Sequence, residues 1–170
     1  MPVSGITNGA QPVMGFNYGA EKYSRVKRAI IFTSVVSITY TTVMWGLVHG
    51  FTEFFIRIFN QEEALLQAGV PAMRIYYFGF FFMSLQFAGQ SVFVALGKAK
   101  KAVFFSIFRK VVIVIPLILL LPGLLRNGTA GVFMAEPVSN LIGGGACFIT
   151  MLATIWPELS EKDNSKRRKL

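Results

Sequence analysis

The stretch AIIFTSVVSITYTTVMWGLVHGF, residues Ala29–Phe51, contains no Asp, Glu, Lys or Arg. A helix needs about 20 predominantly apolar residues to cross a hydrocarbon core of about 30 Å, and this stretch has that length. Three further stretches have similar length and composition, at residues 75–97, 103–125 and 131–156. The sequence therefore predicts an all-α, polytopic membrane bundle with four complete transmembrane helices, and residues 1–14 read as the end of a preceding helix.

The composition of the chain supports a lipid environment. Hydrophobic residues make up 54% of the 170 residues and charged residues 15%, with a mean hydropathy of +0.56. The net charge of +9 would suit a nucleic acid, but the basic residues do not alternate with aromatic ones as a base-stacking groove requires. We therefore expect no nucleic-acid partner. A single Cys and a single His exclude an internal disulfide and spaced metal ligands, so no metal site is predicted.

The basic residues predict the orientation of the chain. With four spans, every Lys and Arg except Arg57, Arg74 and Arg126 falls on one side, and basic residues accumulate in short cytoplasmic loops. We expect a multi-pass protein of the cell membrane with a cytoplasmic C-terminus. Residues 1–158 form the membrane domain, and residues 159–170 form a cytoplasmic basic tail, expected to be disordered against anionic membrane lipids.

The segment between the first two spans predicts a short surface helix. Asn60 has the position of an N-cap three residues before Glu63. We expect the helix to lie on the outer membrane surface and to end before Pro71, since proline disfavours a helical conformation at the residue before it.

Polar side chains inside the spans are the candidate functional residues, because they are costly in lipid without a partner or a wet cavity. In the second span Met83, Gln86 and Gln90 share one helical face. This face either lines a substrate cavity, or its glutamines hydrogen-bond a neighbouring helix. Tyr40 in the first span and Asn140 in the fourth are the other candidates for contact with a substrate.

Two charged residues within the spans raise separate possibilities. Glu136 suits the coupling of a proton or cation, unless it lies near enough to the outer end to sit in water. Arg109 is expected to extend its long stem to the headgroups, with contact to a central cavity as the alternative. The sequence contains no nucleophile paired with a base, no pair of carboxylates at working distance and no phosphate-binding loop. An enzyme is therefore not expected.

Three stretches carry a resemblance to a known family. They are GAQPVMGFNYGAEKYSRVKRA at residues 9–29, ALGKAKKAVFFSIFRKVVIVIPLILLLP at 95–122 and GVFMAEPVSNLI at 131–142. In order and spacing they resemble the C-terminal part of the bacterial multidrug and toxic compound extrusion (MATE) transporters, and the resemblance covers nearly the whole chain. It implies a partial C-lobe of a fold with twelve helices in two six-helix lobes around a central cavity.

The resemblance also implies a function. Members of the family look like antiporters that export amphipathic, often cationic drugs in exchange for Na⁺ or H⁺, with no other cofactor. This chain would need the missing N-terminal lobe as a partner and would not transport alone. The resemblance further implies a cytoplasmic loop motif, in which glycines permit a tight turn; its residues are Gly15, Asn17, Tyr18, Gly19 and Arg25.

Two alternative functions remain open at this point. A lipid-linked sugar flippase of similar architecture would favour several basic residues lining the cavity, and only Arg109 and Lys110 are available. A non-transporting membrane scaffold or a relic of a longer transporter is the other alternative.

Overall fold

A computed structural model describes residues 2–124 and 128–168, and within these ranges it is helical without strands. The helices are α1 Pro2–Gly19, α2 Tyr23–Gly50, α3 Thr52–Arg57, α4 Glu63–Tyr77, α5 Phe80–Ala95, α6 Ala99–Ile107, α7 Ile115–Leu124, α8 Gly128–Ser139 and α9 Gly145–Arg167. Two π-helical segments, Phe108–Val114 and Asn140–Gly144, join α6 to α7 and α8 to α9.

The predicted all-α membrane bundle with four spans is confirmed. Four helical stretches in the described ranges are long and apolar enough to cross a membrane, namely Tyr23–Gly50, Glu63–Ala95, Ala99–Leu124 and Thr129–Lys166. Each is longer than the sequence predicted, because polar turns of helix extend the apolar part. The predicted end of the third span and Arg126 fall outside the described residues.

The interior of the bundle forms where α1, α2, α5 and α9 meet. Met14, Val26, Phe93 and Met151 each come from a different one of these helices, and all are fully buried in one apolar cluster. The outward faces are also apolar, as Phe32, Leu119, Leu120 and Leu124 illustrate. Apolar groups therefore cover both the inside and the outside, which suits lipid as the surrounding solvent.

The turn between α1 and α2 differs from the prediction. Four residues of the predicted loop motif lie within α1, namely Gly15, Asn17, Tyr18 and Gly19. The two glycines therefore do not form the predicted tight turn. The turn instead follows at Glu21, whose φ of 55° is left-handed. The backbone N–H groups of residues 21 and 22 donate to the carbonyls of residues 18 and 17, which is the Schellman arrangement that ends many helices. The turn between α5 and α6 has the same pattern, with Gly97 in the left-handed position.

Two further predictions are wrong. Asn60 caps no helix with its side chain; its Oδ1 accepts from the backbone N–H of Glu62, and α4 begins at Glu63 and continues through Pro71. The basic tail is not disordered over its described part, because α9 remains helical to Arg167. Contacts with α1 and with the turn after α5 hold this end of α9 in place.

Candidate functional site

A buried guanidinium lies at the centre of the most unusual polar cluster in the described part of the chain. Arg109, in the first π-helical segment, donates through Nη1 to Glu136 Oε1 at 3.1 Å and to Asn140 Oδ1 at 2.5 Å. Ser139 Oγ lies 3.5 Å from the same nitrogen. These four residues are called the Arg109 cluster below.

The Arg109 cluster is largely buried. The side chain of Arg109 is 10% exposed and that of Glu136 20%, while Ser139 and Asn140 are buried. Arg109 follows Lys98 by about three turns of helix, roughly 16 Å at about 1.5 Å per residue, which places it well inside a hydrocarbon core of about 30 Å. The pair has no net charge, so its burial is less costly than that of either ion alone.

The local backbone explains how these side chains meet. Arg109 and Asn140 each lie in a π-helical segment, and such wide turns frequently mark functional sites. Gly143 leaves the space through which the stem of Arg109 passes, because a Cβ at this position would lie 2.6 Å from Arg109 Cγ. The second π-helical segment thus supplies both a hydrogen-bond acceptor and the gap for the arginine.

The structure shows where the two charged residues within the spans, Arg109 and Glu136, lie. Arg109 does not extend to the headgroups, since it donates to acceptors on α8 and on the second π-helical segment. Glu136 is half-buried, with its side chain 20% exposed, and it pairs with Arg109. One donor of Arg109, Nε, is buried and has no hydrogen-bond partner among the described residues.

The predicted face of α5 divides into two environments. Met83 and Gln86 are buried, and Gln86 Oε1 has no hydrogen-bond partner within the described ranges. Gln90 is half-buried, and its Nε2 donates to the carbonyl of Ala102 on α6 at 3.2 Å. This contact is the predicted hydrogen bond between neighbouring helices. Tyr40 lies half-buried on α2, apart from these α5 residues in sequence.

Gln90 also borders a groove of about 340 Å³ between α1, α5 and α6. Its lining contains no Asp, Glu, Lys or Arg and consists of hydroxyl, amide and apolar side chains: Ser4, Thr7, Asn8, Gln11, Phe87, Gln90, Ser91, Val94, Ala102, Val103 and Ser106. The groove can therefore offer hydrogen bonds and an aromatic surface to a ligand without an ionic contact.

A second polar cluster lies at the end of the bundle that carries most of the basic residues. Glu158 Oε1 accepts from the hydroxyl of Tyr18 at 3.0 Å and from Lys162 Nζ at 2.9 Å, and Lys98 Nζ contacts Oε2. We call these four residues the Glu158 cluster. It connects α1, the turn between α5 and α6, and the last turns of α9, beyond the apolar part of that helix.

The donors around Glu158 determine its titration. Burial alone would raise the pKa of this carboxyl, but the hydrogen bonds from Lys98, Lys162 and Tyr18 outweigh that effect and lower the pKa to about 2. The same contacts raise the pKa of the Lys162 ammonium. Both groups therefore remain charged at neutral pH.

The remaining members of the predicted loop motif take part in packing. Gly15 lies against the carbonyl of Ala95, where a Cβ would approach to 3.1 Å. Asn17 donates through Nδ2 to the carbonyl of Val13 at 2.8 Å, within its own helix. Arg25 and Gly19 are exposed. Of this motif, Tyr18 makes the contact that joins distant parts of the chain.

Several residues of these clusters were not predicted from the sequence. Ser139 follows Glu136 at helical spacing, and Glu158 precedes Lys162 by four residues, which is the spacing of a helical ion pair. A further signal was the presence of one basic and one acidic residue inside neighbouring spans, since charges in a membrane interior usually pair.

Comparisons with known proteins agree with this fold. The MatE family model matches residues 1–120. The solved structure of the MATE multidrug transporter DinF-BH is similar at a TM-score of 0.82 and 30% identity, over 91% of this chain and 34% of that chain. No curated protein sequence matches significantly.

More distant structures share the fold alone. An inward-facing MATE family transporter of the MOP superfamily has a TM-score of 0.84 at 14% identity, covering 96% of this chain and 37% of its own. The Vibrio cholerae MATE transporter VcmN in its bent form has a TM-score of 0.78 at 18% identity, with coverages of 92% and 34%. The chain thus spans about a third of the length of these transporters. Since the family model covers most of the sequence and the fold agrees along nearly the whole chain, the chain belongs to the MatE family of membrane transporters.

Proposed function

We propose that this chain is part of the second lobe of a secondary antiporter, which exports amphipathic, often cationic drugs in exchange for Na⁺ or H⁺. The observation that carries the proposal is the match of nearly the whole chain to about a third of a multidrug transporter at 30% identity. Transport by alternating access requires two lobes facing a common site. The partner is therefore a first lobe together with the rest of the second, and no enzymatic activity is proposed.

The orientation belongs to the same proposal. The Glu158 cluster joins the last turn of α1, the turn after α5 and the last turns of α9, so the three basic segments next to these positions lie at one end of the bundle. This arrangement supports a multi-pass protein of the cell membrane with that end, including the C-terminus, in the cytoplasm. Cysteines introduced at Lys100 or Lys166 should react with a membrane-impermeant reagent only after the cells are opened.

The groove beside Gln90 is the surface we propose for contact with the drug. Its hydrogen-bonding and aromatic side chains suit an amphipathic molecule. Because its lining carries no carboxylate, a cationic drug would find its ionic partner on the other lobe. Tyr40, Met83, Gln86 and Asn140 remain candidates for substrate contact, and Glu136 remains the candidate for ion coupling.

The flippase alternative gains no support from the position of the basic residues. Arg109 pairs with Glu136, and Lys110 lies on the exposed surface of its helix. Neither borders the groove beside Gln90. Recognition of a pyrophosphate would need such residues free in the cavity.

A chimeric transporter would test the proposal. The corresponding third of DinF-BH would be replaced by this chain, and ethidium efflux would be followed in cells that lack their own pumps, with Na⁺ and pH varied separately. We expect efflux from the chimera and none from the 170-residue chain expressed alone. A second version of the chimera carries Gln90→Leu, which removes a polar group from the proposed drug surface. Compared with the unmodified chimera, it should show an altered preference among drugs.

Two results would count against the proposal. A chimera that reaches the membrane in normal amounts but exports no drug would show that this lobe segment does not support efflux. Drug resistance restored by the isolated chain would show that it does not act as part of a two-lobe antiporter.

A further inference from the structure

The acceptors around Arg109 have the composition of a cation site. A carboxylate, an amide carbonyl and a hydroxyl, from Glu136, Asn140 and Ser139, all point to the single nitrogen Nη1, at 3.1, 2.5 and 3.5 Å. A neutral-oxygen and carboxylate set of this kind is what small hard cations prefer. A guanidinium nitrogen has only two protons to donate, so three oxygens around it exceed what it can bind with good geometry.

We propose that Arg109 is a tethered cation that fills a monovalent cation site formed by Glu136, Ser139 and Asn140, and that a free cation such as Na⁺ binds there only when the guanidinium withdraws. The inference deepens the proposed antiport function, on which its physiological role rests. It names the event that must accompany any use of Glu136 for ion coupling, namely the displacement of Arg109.

Charge balance makes the two occupants mutually exclusive. The buried cluster carries one positive and one negative charge, which cancel. Adding a cation while Arg109 stays in place would leave a net positive charge in a region of low dielectric, and an unpaired charge there is costly. The guanidinium cannot lose its own charge, because arginine stays protonated in proteins. Exchange therefore requires movement of the side chain and not a change in its protonation.

Tethering favours the guanidinium over a free cation at this site. A group attached to the same chain acts at a high effective concentration, which for short tethers reaches the millimolar range or above. The path of the stem is also specified, since Gly143 leaves room for Arg109 Cγ and Cδ. The two π-helical segments meet at this point, and such wide turns are places where a helix can change its register.

The competing explanation is that Glu136, Ser139 and Asn140 only bind the guanidinium and form no site for a free cation, and Na⁺ binding separates the two. The chain would be purified in lipid nanodiscs, and its thermal midpoint measured as NaCl replaces choline chloride at constant ionic strength. We expect no Na⁺ dependence for the natural chain or for Lys110→Gln, the neighbouring exposed control. Arg109→Gln should gain a saturable rise of about 5–10 °C at a Na⁺ concentration about 100 times its Kd. The double variant Arg109→Gln/Glu136→Gln should lose that rise.

Each outcome decides the matter. A folded Arg109→Gln variant without Na⁺ dependence would overturn the proposal, because the oxygens would then form no cation site. A Na⁺-dependent rise in the natural chain as large as that of Arg109→Gln would also overturn it, since the guanidinium would then not compete with the free cation. If Arg109→Gln proves too unstable for melting curves, its recovery becomes the readout. Folded protein obtained in NaCl but not in choline chloride supports the proposal, and loss in both overturns it.

The test is independent of drug transport. Na⁺ binding can be found in a chain whose chimera exports no drug, and the chimera can be active when Arg109→Gln binds no Na⁺. Failure of the cation site and failure of the proposed antiport function are therefore distinguishable.

Discussion

The Arg109 cluster and the Glu158 cluster each pair one carboxylate with at least one basic side chain, but they lie at different depths in the bundle. Glu158 lies past the apolar part of α9, with its side chain 27% exposed. Arg109 lies inside the span, with its side chain 10% exposed. At the bundle end, water and salt can replace any lost partner. In the span, bulk water does not replace a lost partner, and only protein atoms or an ion bound within the cluster can.

The difference in depth determines what each cluster can do. Ion pairs near water contribute little individually, commonly less than about 1 kcal/mol, so the Glu158 cluster is suited to holding three segments in register. Removing one partner of a buried pair leaves an uncompensated charge, at a cost of about 3–5 kcal/mol. The carboxylate of Glu136 therefore needs one cationic partner, and the Arg109 cluster is suited to hold either the guanidinium or a free cation, but not both.

The largest predicted effect comes from removing the buried guanidinium. Arg109→Ala should destabilise the chain by about 3–5 kcal/mol, because Glu136 is then left without its counter-ion. The neighbouring Lys110→Ala removes an exposed charge and should change stability by about 0.5 kcal/mol or less. Thermal or denaturant unfolding in lipid nanodiscs measures both. Equal effects of the two substitutions would mean that Arg109 is no more buried than Lys110.

A smaller effect is expected from filling the gap under the arginine. Gly143→Ala places a Cβ about where the stem of Arg109 passes and should cost about 1–3 kcal/mol through displacement of that side chain. Gly145→Ala is the matched control, since nothing lies within 4 Å of a Cβ there, and alanine favours a helix. The same unfolding measurement applies. A neutral Gly143→Ala would contradict the described course of Arg109.

The smallest effect is expected in the Glu158 cluster, and it should depend on pH. Because the pKa of Glu158 is lowered to about 2 from an ordinary 4.5, its stabilising contribution is full above about pH 4.5 and is lost as the pH falls towards about 2. Glu158→Gln should thus lower the midpoint by the equivalent of about 1 kcal/mol or less at about pH 7, with the difference from the natural chain vanishing at low pH. Glu161→Gln, on the same exposed end of α9, should show neither effect.

The membrane bundle itself could be predicted from the sequence, because length and hydropathy alone decide whether a helix can span lipid. The count of four followed from apolar runs such as Ala29–Phe51. The ends of the helices did not follow, since α4 and α9 continue through polar turns and through Pro71 where tertiary contacts support them. The position of the turn at Glu21 was not predicted, because glycine is the residue that usually adopts a left-handed conformation. In this turn a glutamate adopts that conformation, and the nearby glycines do not.

The candidate site could be predicted only in part. Glu136 and Asn140 stand out in an apolar span, but their contact with Arg109 depends on how two helices are aligned. That alignment passes through two π-helical segments, and each shifts the face that follows it. A regular helical pattern cannot include such shifts. The sequence therefore indicated which residues are costly in lipid without showing which of them pair.

Two double-mutant cycles measured side by side test whether Arg109 and Glu136 form a strongly coupled, buried pair within the membrane. One cycle combines Arg109→Met with Glu136→Gln, and the other Lys162→Met with Glu158→Gln, in nanodiscs at about 0.1 M and about 1 M choline chloride, whose cation does not fit the Arg109 cluster. For Arg109 and Glu136 we predict a coupling energy of about 2 kcal/mol or more, with the same value at both salt concentrations. For Lys162 and Glu158 we predict a coupling energy of about 1 kcal/mol or less, with a smaller value at the higher salt concentration. If the coupling energy of Arg109 and Glu136 is as small and as salt-sensitive as that of Lys162 and Glu158, then Arg109 and Glu136 do not form a buried pair within the membrane.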